Sequence, residues 1–403
     1  MTKVIMHLDM DAFFVNVELL DKPHLRGQKI IVAHNSPRSV VLSASYEARV
    51  DGVGSAMPLS RALRMSPHAI VVEPSRIYRD YSRQIMKILH DVTDLVEQVS
   101  VDEAFVDLTG AMTRLGNPVD IAQSIRERIQ QELSLPASAG IASTKFIAKM
   151  ASTGSKPNGL WVIPPHRVQE FLDPMPVGKL WGVGSKSTQA LHNLGIHTVA
   201  QLREYDLSYL HSKFGTASGT HLYNIARGID PRPVTPYREE KSIGAEHTFD
   251  HDARDAEAVK AELLTLSLKV ARRLRKSGKQ TRSLSFKIRN QDFETITRSC
   301  ILPTATTSGH EIFKASIREL TKLGILVEGN PEVSHPIRLI GVRAEKLGAE
   351  EHGVQGSLFE ENLKTDNVFE SNWNDAEKTM DLIHSKFGGT GLVPASILKK
   401  KEP

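Results

Sequence analysis

Apolar positions in the first 165 residues follow two periods, and the changes between them mark out elements. Short apolar runs at 4–8 (VIMHL), 29–33 (KIIVA) and 38–45 (RSVVLSAS) predict strands, and NVELLD after Phe13 and Phe14 predicts a short helix. The stretch 46–67 reads as helix, glycine-rich turn and second helix. Over 76–94, Ile77, Tyr81, Ile85, Ile88 and Leu89 share one helical face, and over 119–133 Ile121, Ile125 and Ile129 recur four apart. Between these helices, LVEQVSVDEAFVDL (95–108) alternates and reads as strand, turn and strand. LPASAGIAS predicts a strand of small residues, TKFIAKMAS a short helix, and 153–165 a loop with one strand. The order β, small insert, α, β, β, α, β is that of a ferredoxin-like sheet.

From about 166 the texture changes to short helices with glycine turns, and LWGVGSKSTQALHNLGIHTVAQL has the form helix, Gly-x-Gly hairpin, helix. DPRPVTPYREEK (230–241) combines prolines with charge and reads as a semi-rigid linker. A further unit over about 242–346 alternates four strands with helices at about 254–276 and 308–323. Beyond 346 the chain turns acidic around QGSLF, then regains helical spacing through Trp373, Met380, Ile383 and Phe387.

With 403 residues, two to four domains are expected. The single cysteine, Cys300, excludes an internal disulfide and a cysteine-based zinc site. The N-terminal apolar run is too short and too charged for a signal peptide, and no run approaches the roughly 20 residues of a membrane span. The net charge of +4 is mild, but its distribution is not. Between Leu263 and Gln291 stand nine cations (Lys269, Arg272, Arg273, Arg275, Lys276, Lys279, Arg282, Lys287 and Arg289) and no acid. Solvated helix faces mix signs, so this stretch is expected to meet a nucleic-acid backbone.

Two acid pairs supply the candidate chemistry. Asp9 and Asp11 end the first strand, and Asp102 and Glu103 interrupt the alternating run. Charges among apolar neighbours are costly unless they meet a cation or water, and carboxylates from two distant strands suggest a shared metal site. The hairpin at Gly182 and Gly184, followed by Lys186, is suited to grip phosphate without reading sequence.

In this order LDMDAFF (8–14), LSASYEARVDGVGSAMP (42–58), SVDEAFVDLTG (100–110), SAGIASTKFIAKMAS (138–152), SKPNG (155–159), GVGSKS (182–187) and KSIGAEHTF (241–249) resemble the Y-family of DNA polymerases, the lesion-bypass enzymes. The resemblance covers roughly 1–346 and implies an α/β (α+β) right-hand polymerase. It implies a palm at 1–18 and 73–165, fingers at 19–72 and a helix-hairpin-helix thumb at 166–230. A linker at 231–241, an α/β little finger at 242–346 and a flexible tail at 347–403 with a short helix complete the expected plan. The implied activity is template-directed DNA synthesis without proofreading, by a monomer in the bacterial cytoplasm associated with the nucleoid.

The same resemblance implies two Mg²⁺ ions, with Asp9 and Asp102 bridging both, Glu103 on the primer side and the carbonyl of Met10 on the triphosphate side. Ser43, Tyr46, Arg49 and Lys156 match the phosphate-contacting set, Phe14 the steric gate against a 2′-hydroxyl, and Phe13 a core ring whose amide reaches phosphate. Leu42 and Ala56 are expected over the nascent base pair. Arg272, Arg273, Arg275, Lys276 and Arg282 are expected on primer-template DNA with Gly182, Gly184 and Lys186. Gln355, Leu358 and Phe359 fit the Q-x-x-L-F form of sliding-clamp-binding peptides. A nucleotidyl cyclase would share the two-metal palm but has no use for the basic stretch. A glycosylase could use the hairpin but not the acid pairs. A silent DNA- and clamp-binding accessory protein would not need Asp9, Asp102, Glu103, Arg49 and Lys156 together.

Overall fold

The computed structural model describes residues 2–349 and 366–387, which fall into two compact units, Met1–Arg238 and Glu239–Pro403. In the first unit β1 (Ile5–Met10) is buried on both sides. Met6, Leu8 and Met10 enter one core, and Ile5 enters another. Just past the strand Ala12 takes left-handed backbone, φ +40°, and redirects the chain into α1 (Phe13–Asp21). That conformation costs an L-residue about 1–2 kcal/mol and recurs at functional turns.

The insert holds β2 (Ile30–Val32), β3 (Ser43–Ala44), α2 (Tyr46–Val50), α3 (Leu59–Met65) and β4 (Ile70–Val72), in a three-stranded sheet of order β3-β2-β4. Three expectations change here. The strand expected over 38–45 shrinks to Ser43–Ala44, because Val41 N–H turns to the Met57 carbonyl (2.8 Å) instead of extending a ladder. β4 was not anticipated. The boundary drawn at 18/19 falls inside α1, a continuous helix.

The chain continues through α4 (Tyr78–His90), β5 (Val96–Gln98), β6 (Glu103–Asp107), α5 (Met112–Leu115), α6 (Pro118–Leu133), β7 (Ala137–Ala142), α7 (Lys145–Gly154) and β8 (Leu160–Val162). The sheet order β5-β6-β1-β7-β8 is the expected ferredoxin-like arrangement with β8 added at one edge, parallel to β7. α4 and α6 cover one face with Ile85, Leu89, Ile125 and Ile129. α7 covers part of the other face, and Gly140 of β7 lets it approach. A Cβ there would lie 2.2 Å from the Ala148 carbonyl oxygen and 2.3 Å from the Ser152 nitrogen.

α8 (Val168–Leu172), α9 (Ser185–Asn193), α10 (Val199–Arg203) and α11 (Leu207–Ala226) close a second core around Phe105, Phe146 and Ile147. The helix expected before the glycine hairpin is one 3₁₀ turn, Val177–Lys179, entered from Pro176. The linker has neither helix nor strand, yet its first half is fastened to this unit. Thr235 N–H donates to Glu97 Oε2 (2.8 Å), Asp230 accepts from Phe146 N–H (3.1 Å), and Val234 is buried.

The second unit contains β9 (Ser242–Asp255), α12 (Ala256–Lys276), β10 (Lys279–Asn290), β11 (Thr295–Thr306), α13 (Gly309–Lys322), β12 (Glu332–Glu345), β13 (Gly348–Ala349) and α14 (Asp366–Phe387). Its main sheet runs β11-β10-β12-β9, antiparallel throughout. Leu284, Phe286 and Ile288 of β10 enter the core with α12 and α13. The intervening Ser285, Lys287 and Arg289 take the opposite face, where Lys287 pairs in register with Thr297 and Gly341, and Ser285 with Arg343. The unit runs past the boundary expected at 346, because β13 pairs with β10 and α14 docks on α12.

Candidate active site

The two acid pairs meet because β1 and β6 are neighbours in a register that sets Asp9 opposite Glu103. Met10 N–H donates to the Asp102 carbonyl (3.0 Å), fixing the turn that carries Asp102 beside the strand end. Ser100 shapes that turn: its hydroxyl donates to Asp102 Oδ1, and its oxygen accepts from Glu103 N–H at 3.1 Å. Burial, reinforced by the charges of Asp9 and Glu103, pushes the Asp102 carboxyl above its ordinary range, against the Ser100 hydrogen bond.

Cations answer these anions. Lys156 Nζ stands 2.5 Å from Asp9 Oδ1 and 3.5 Å from the Met10 carbonyl oxygen. Lys149 Nζ pairs with Glu103 Oε2. His7, fully buried, places Nδ1 2.6 Å from Ser152 Oγ and Nε2 3.5 Å from Glu103 Oε2. His7 first, and Lys149 after it, pull Glu103 down to about 2 against the cost of burial. Burial pushes the His7 imidazole below its usual value.

Among the described residues no three acid, histidine or cysteine side chains are already drawn into a metal-ligand cluster, since Glu103 turns toward Lys149 and His7. The donor set nevertheless fits a hard divalent cation: three carboxylates and a backbone carbonyl, all oxygen. The Lys156 ammonium between Asp9 and Met10 marks a place where a positive charge is already satisfied.

Of the residues expected to meet the nucleotide, Tyr46 and Lys156 are bonded to this strand end, to Asp11 and Asp9. Phe14 is half-buried, its ring 4.2 Å from that of Tyr78, whereas Phe13 is buried in the core. Tyr46 donates its hydroxyl to Asp11 Oδ1 (2.9 Å), and burial first, then the Asp11 charge, raise its pKa. Arg49 lies over the Tyr46 ring at 4.8 Å, with Nε on the Ala44 carbonyl (3.0 Å). Ser43 is buried in β3, Leu42 precedes it half-buried, and Ala56 is exposed in left-handed backbone. Asp11 is a structural hub, accepting from the Tyr46 and Ser138 hydroxyls and from Asn158 N–H. Sequence reasoning missed Lys149 and His7. The signal for His7 was parity, two residues before Asp9 on a strand; Lys149 lies one helical turn after Lys145, which pairs with Glu97.

In the hairpin Gly182 has φ +99°, left-handed backbone that favours glycine, whereas the nearest atom to an added Cβ, His221 Nε2 at 2.6 Å, ends an exposed side chain that can move. Gly184 is the N-cap of α9, followed by exposed Lys186. Trp181 sits between cations, 4.8 Å from Arg232 and 5.6 Å from Lys149.

The basic stretch does not form one surface, because its helical part belongs to the layer that covers the sheet and its strand part to the sheet itself. As the structure stands, Arg275, expected on DNA, is turned to partners within its own unit. Its side chain is 11% exposed, and its guanidinium is spent on Glu377, Asp381 and the Thr307 carbonyl. Arg272 lies 3.7 Å from Asp381. Arg273 and Arg282 are exposed but donate to the carbonyls of Gly244 and Leu302; Lys276 is exposed. The other sheet face carries a depression of about 550 Å³ lined by Lys287, Arg343, Ser285, Thr297 and Glu246, with Lys287 2.8 Å from Glu246; Arg343 lies outside the basic stretch read from the sequence. Gln355, Leu358 and Phe359 lie outside the described residues.

Comparison with known proteins places this geometry. Residues 8–153 match the model of the impB/mucB/samB family, 240–358 that of its C-terminal domain, and 178–230 that of the DNA polymerase-iota thumb domain. A DNA polymerase IV from Desulfatibacillum aliphaticivorans is 40% identical over 98% of this chain and 97% of its own length. The chain belongs to the Y-family of DNA polymerases. A DNA polymerase IV from Bacteroides fragilis (strain YCH46) is 42% identical over 86% of this chain and 94% of its own. A solved Y-family DNA polymerase chimera covers 86% of this chain and 99% of its own, with TM-score 0.75 and 26% identity. The palm-like sheet, the glycine-hairpin helices and the second unit are therefore Y-family architecture.

Proposed function

We propose that Asp9, Asp102, Glu103 and the Met10 carbonyl hold two magnesium ions at the reaction centre of this Y-family enzyme. The chain is a DNA-directed DNA polymerase of the translesion type, taking primer-template DNA and deoxynucleotides and depending on divalent metal. When bound, such ions make the primer 3′-oxygen more nucleophilic and neutralise charge on the phosphate under attack. Lys156 and Arg49 receive the triphosphate, Lys as a point charge and Arg as a planar fork. Tyr46 and Ser43 add neutral donors; for Tyr46 this means exchanging its bond to Asp11 for one to phosphate. Phe14, braced by Tyr78, excludes a 2′-hydroxyl from the sugar position.

The observation that carries this reading is the Asp9–Glu103 register, with Asp102 one residue away and a lysine ammonium on Asp9. Primer extension with and without Mg²⁺ tests it. Extension that persists in a chelator, or in Asp102→Asn, ends the reading.

The domain limits follow the sequence expectation, except that the palm keeps all of α1 and the little finger extends through β13. DNA contacts outside the palm are assigned to Gly184, Lys186 and the Lys287–Arg343 face of the second unit. Gln355, Leu358 and Phe359 tether the enzyme to a sliding clamp, raising its effective concentration at the primer end. Deleting 355–359 should abolish clamp stimulation and leave basal extension; persistent stimulation removes the motif. The working form is a cytoplasmic, nucleoid-associated monomer.

A further inference from the structure

α14 lies beyond the end of the matched C-terminal model at 358, and its contacts are those of a plug. Glu377 is 1% exposed, a depth at which a carboxylate needs full compensation. It is fully answered: Oε2 accepts from Arg275 Nη1 (2.6 Å) and Gly309 N–H (2.9 Å), while Oε1 accepts from His310 N–H (3.0 Å) and the Ser308 hydroxyl (3.3 Å). One turn further on, Asp381 takes the Nε of Arg275 at 2.7 Å and lies 3.7 Å from Arg272. Trp373 stacks on the His310 ring, centroids 4.9 Å apart and planes within 9°.

The surface under α14 thus presents two arginines and the first turn of α13, and a strip of acids fills it. Nothing in the reaction uses this contact. Arginine forks and helix-start amides bind carboxylate and phosphate by the same geometry. The arginines sit in the 27-residue span between Leu263 and Gln291 that carries no acid of its own, so α14 supplies their counter-charge from more than 100 residues away.

We propose that α14 is a removable cover, an acidic helix that occupies in cis a surface whose external partner is the phosphate backbone of nucleic acid. Docked, it withholds Arg272 and Arg275; released, it adds two phosphate contacts to the second unit. The inference rests on DNA as the substrate, but not on the metal assignment.

The test is anisotropy of a fluorescein-labelled primer-template from about 50 to 300 mM KCl, together with hydrogen exchange on the same full-length proteins. In Glu377→Ala/Asp381→Ala the amides of 373–381 should lose protection. DNA affinity should rise about tenfold at the low-salt end, and the slope of log K against log salt should steepen by about two, one unit per phosphate gained. Adding Arg272→Ala and Arg275→Ala restores the wild-type net charge and should restore the wild-type slope, separating the arginines from a general loss of negative charge. Asp381→Ala alone leaves the buried Glu377 in place and should steepen the slope by about one. An unchanged slope in the double variant overturns the proposal. So does a steep slope that survives removal of the arginines, or an α14 that stays protected without its acids.

Discussion

The palm-like sheet and the sheet of the second unit share one element order, β-α-β-β-α-β, and both bury one face under two helices, yet they are assembled differently. In the first unit the opening strand β1 is central, between β6 and β7, and in the second the closing strand β12 sits between β10 and β9. Central placement of β1 brings acids from the two ends of a 94-residue separation to one point, Asp9 against Glu103. In the second unit the face away from the helices carries cations spaced along strands, Lys287 and Arg289 on β10 with Arg343 on β12, among Ser285, Thr297 and the acid Glu246, which pairs with Lys287 at 2.8 Å. One sheet concentrates anions at a strand end, which suits cations and chemistry. The other spreads cations along its length, which suits a polyanion held without sequence reading.

The hardest test of that contrast is at the strand end. Asp102→Asn should lower the extension rate about 10³-fold, or about 4 kcal/mol of transition-state stabilisation, measured in single turnover. Asp107→Asn, at the other end of β6, bonds only its own turn (Thr109 N–H, 2.9 Å) and should leave the rate within about twofold. Equal losses would mean that convergence is not what matters.

Gly140→Ala should destabilise the first unit by about 3 kcal/mol in urea unfolding, because the added Cβ meets the α7 backbone rather than a side chain that can move. The second unit, a separate compact body, should unfold at its own midpoint, and a shared shift would show that the two are energetically one.

Phe14→Ala should cut discrimination against ribonucleotides by about ten- to a hundredfold in competitive primer extension, with deoxynucleotide incorporation retained. An unchanged ratio removes the gate. Smallest is the spread surface: Lys287→Ala with Arg343→Ala should weaken primer-template binding about tenfold and flatten its salt slope by about two, with the single-turnover rate at saturating DNA unchanged. A change in rate rather than affinity would erase the division of labour between the two sheets.

Much of this was readable in one dimension. The four-residue spacing of Ile121, Ile125 and Ile129 reports burial directly, since it follows from which side of α6 meets a core; the alternation around SVDEAF marked a strand that is in fact buried on both faces, Ala104 and Val106 in one core and Phe105 in another. Short elements were harder. β3 and β4 have two and three residues, too few for a period, and exist because β2 offers each an edge. The basic stretch is continuous along the chain but not in space, because helix and strand send neighbouring residues to different layers. The ion pairs of Arg275 were not legible because its partners, Glu377 and Asp381, lie more than 100 positions away.

The sequence by itself determined most of the element types, the two acid pairs and the family, because these are local patterns or ordered motifs. Tertiary structure decided strand order, which acids face one another, which cations are already paired, and that Lys149 and His7 stand behind Glu103. The physical reason is that strand pairing and ion pairing are set by what is close in space. For Asp9 with Glu103, and for Arg275 with Glu377, that proximity is created only when residues about a hundred positions apart are brought together by folding.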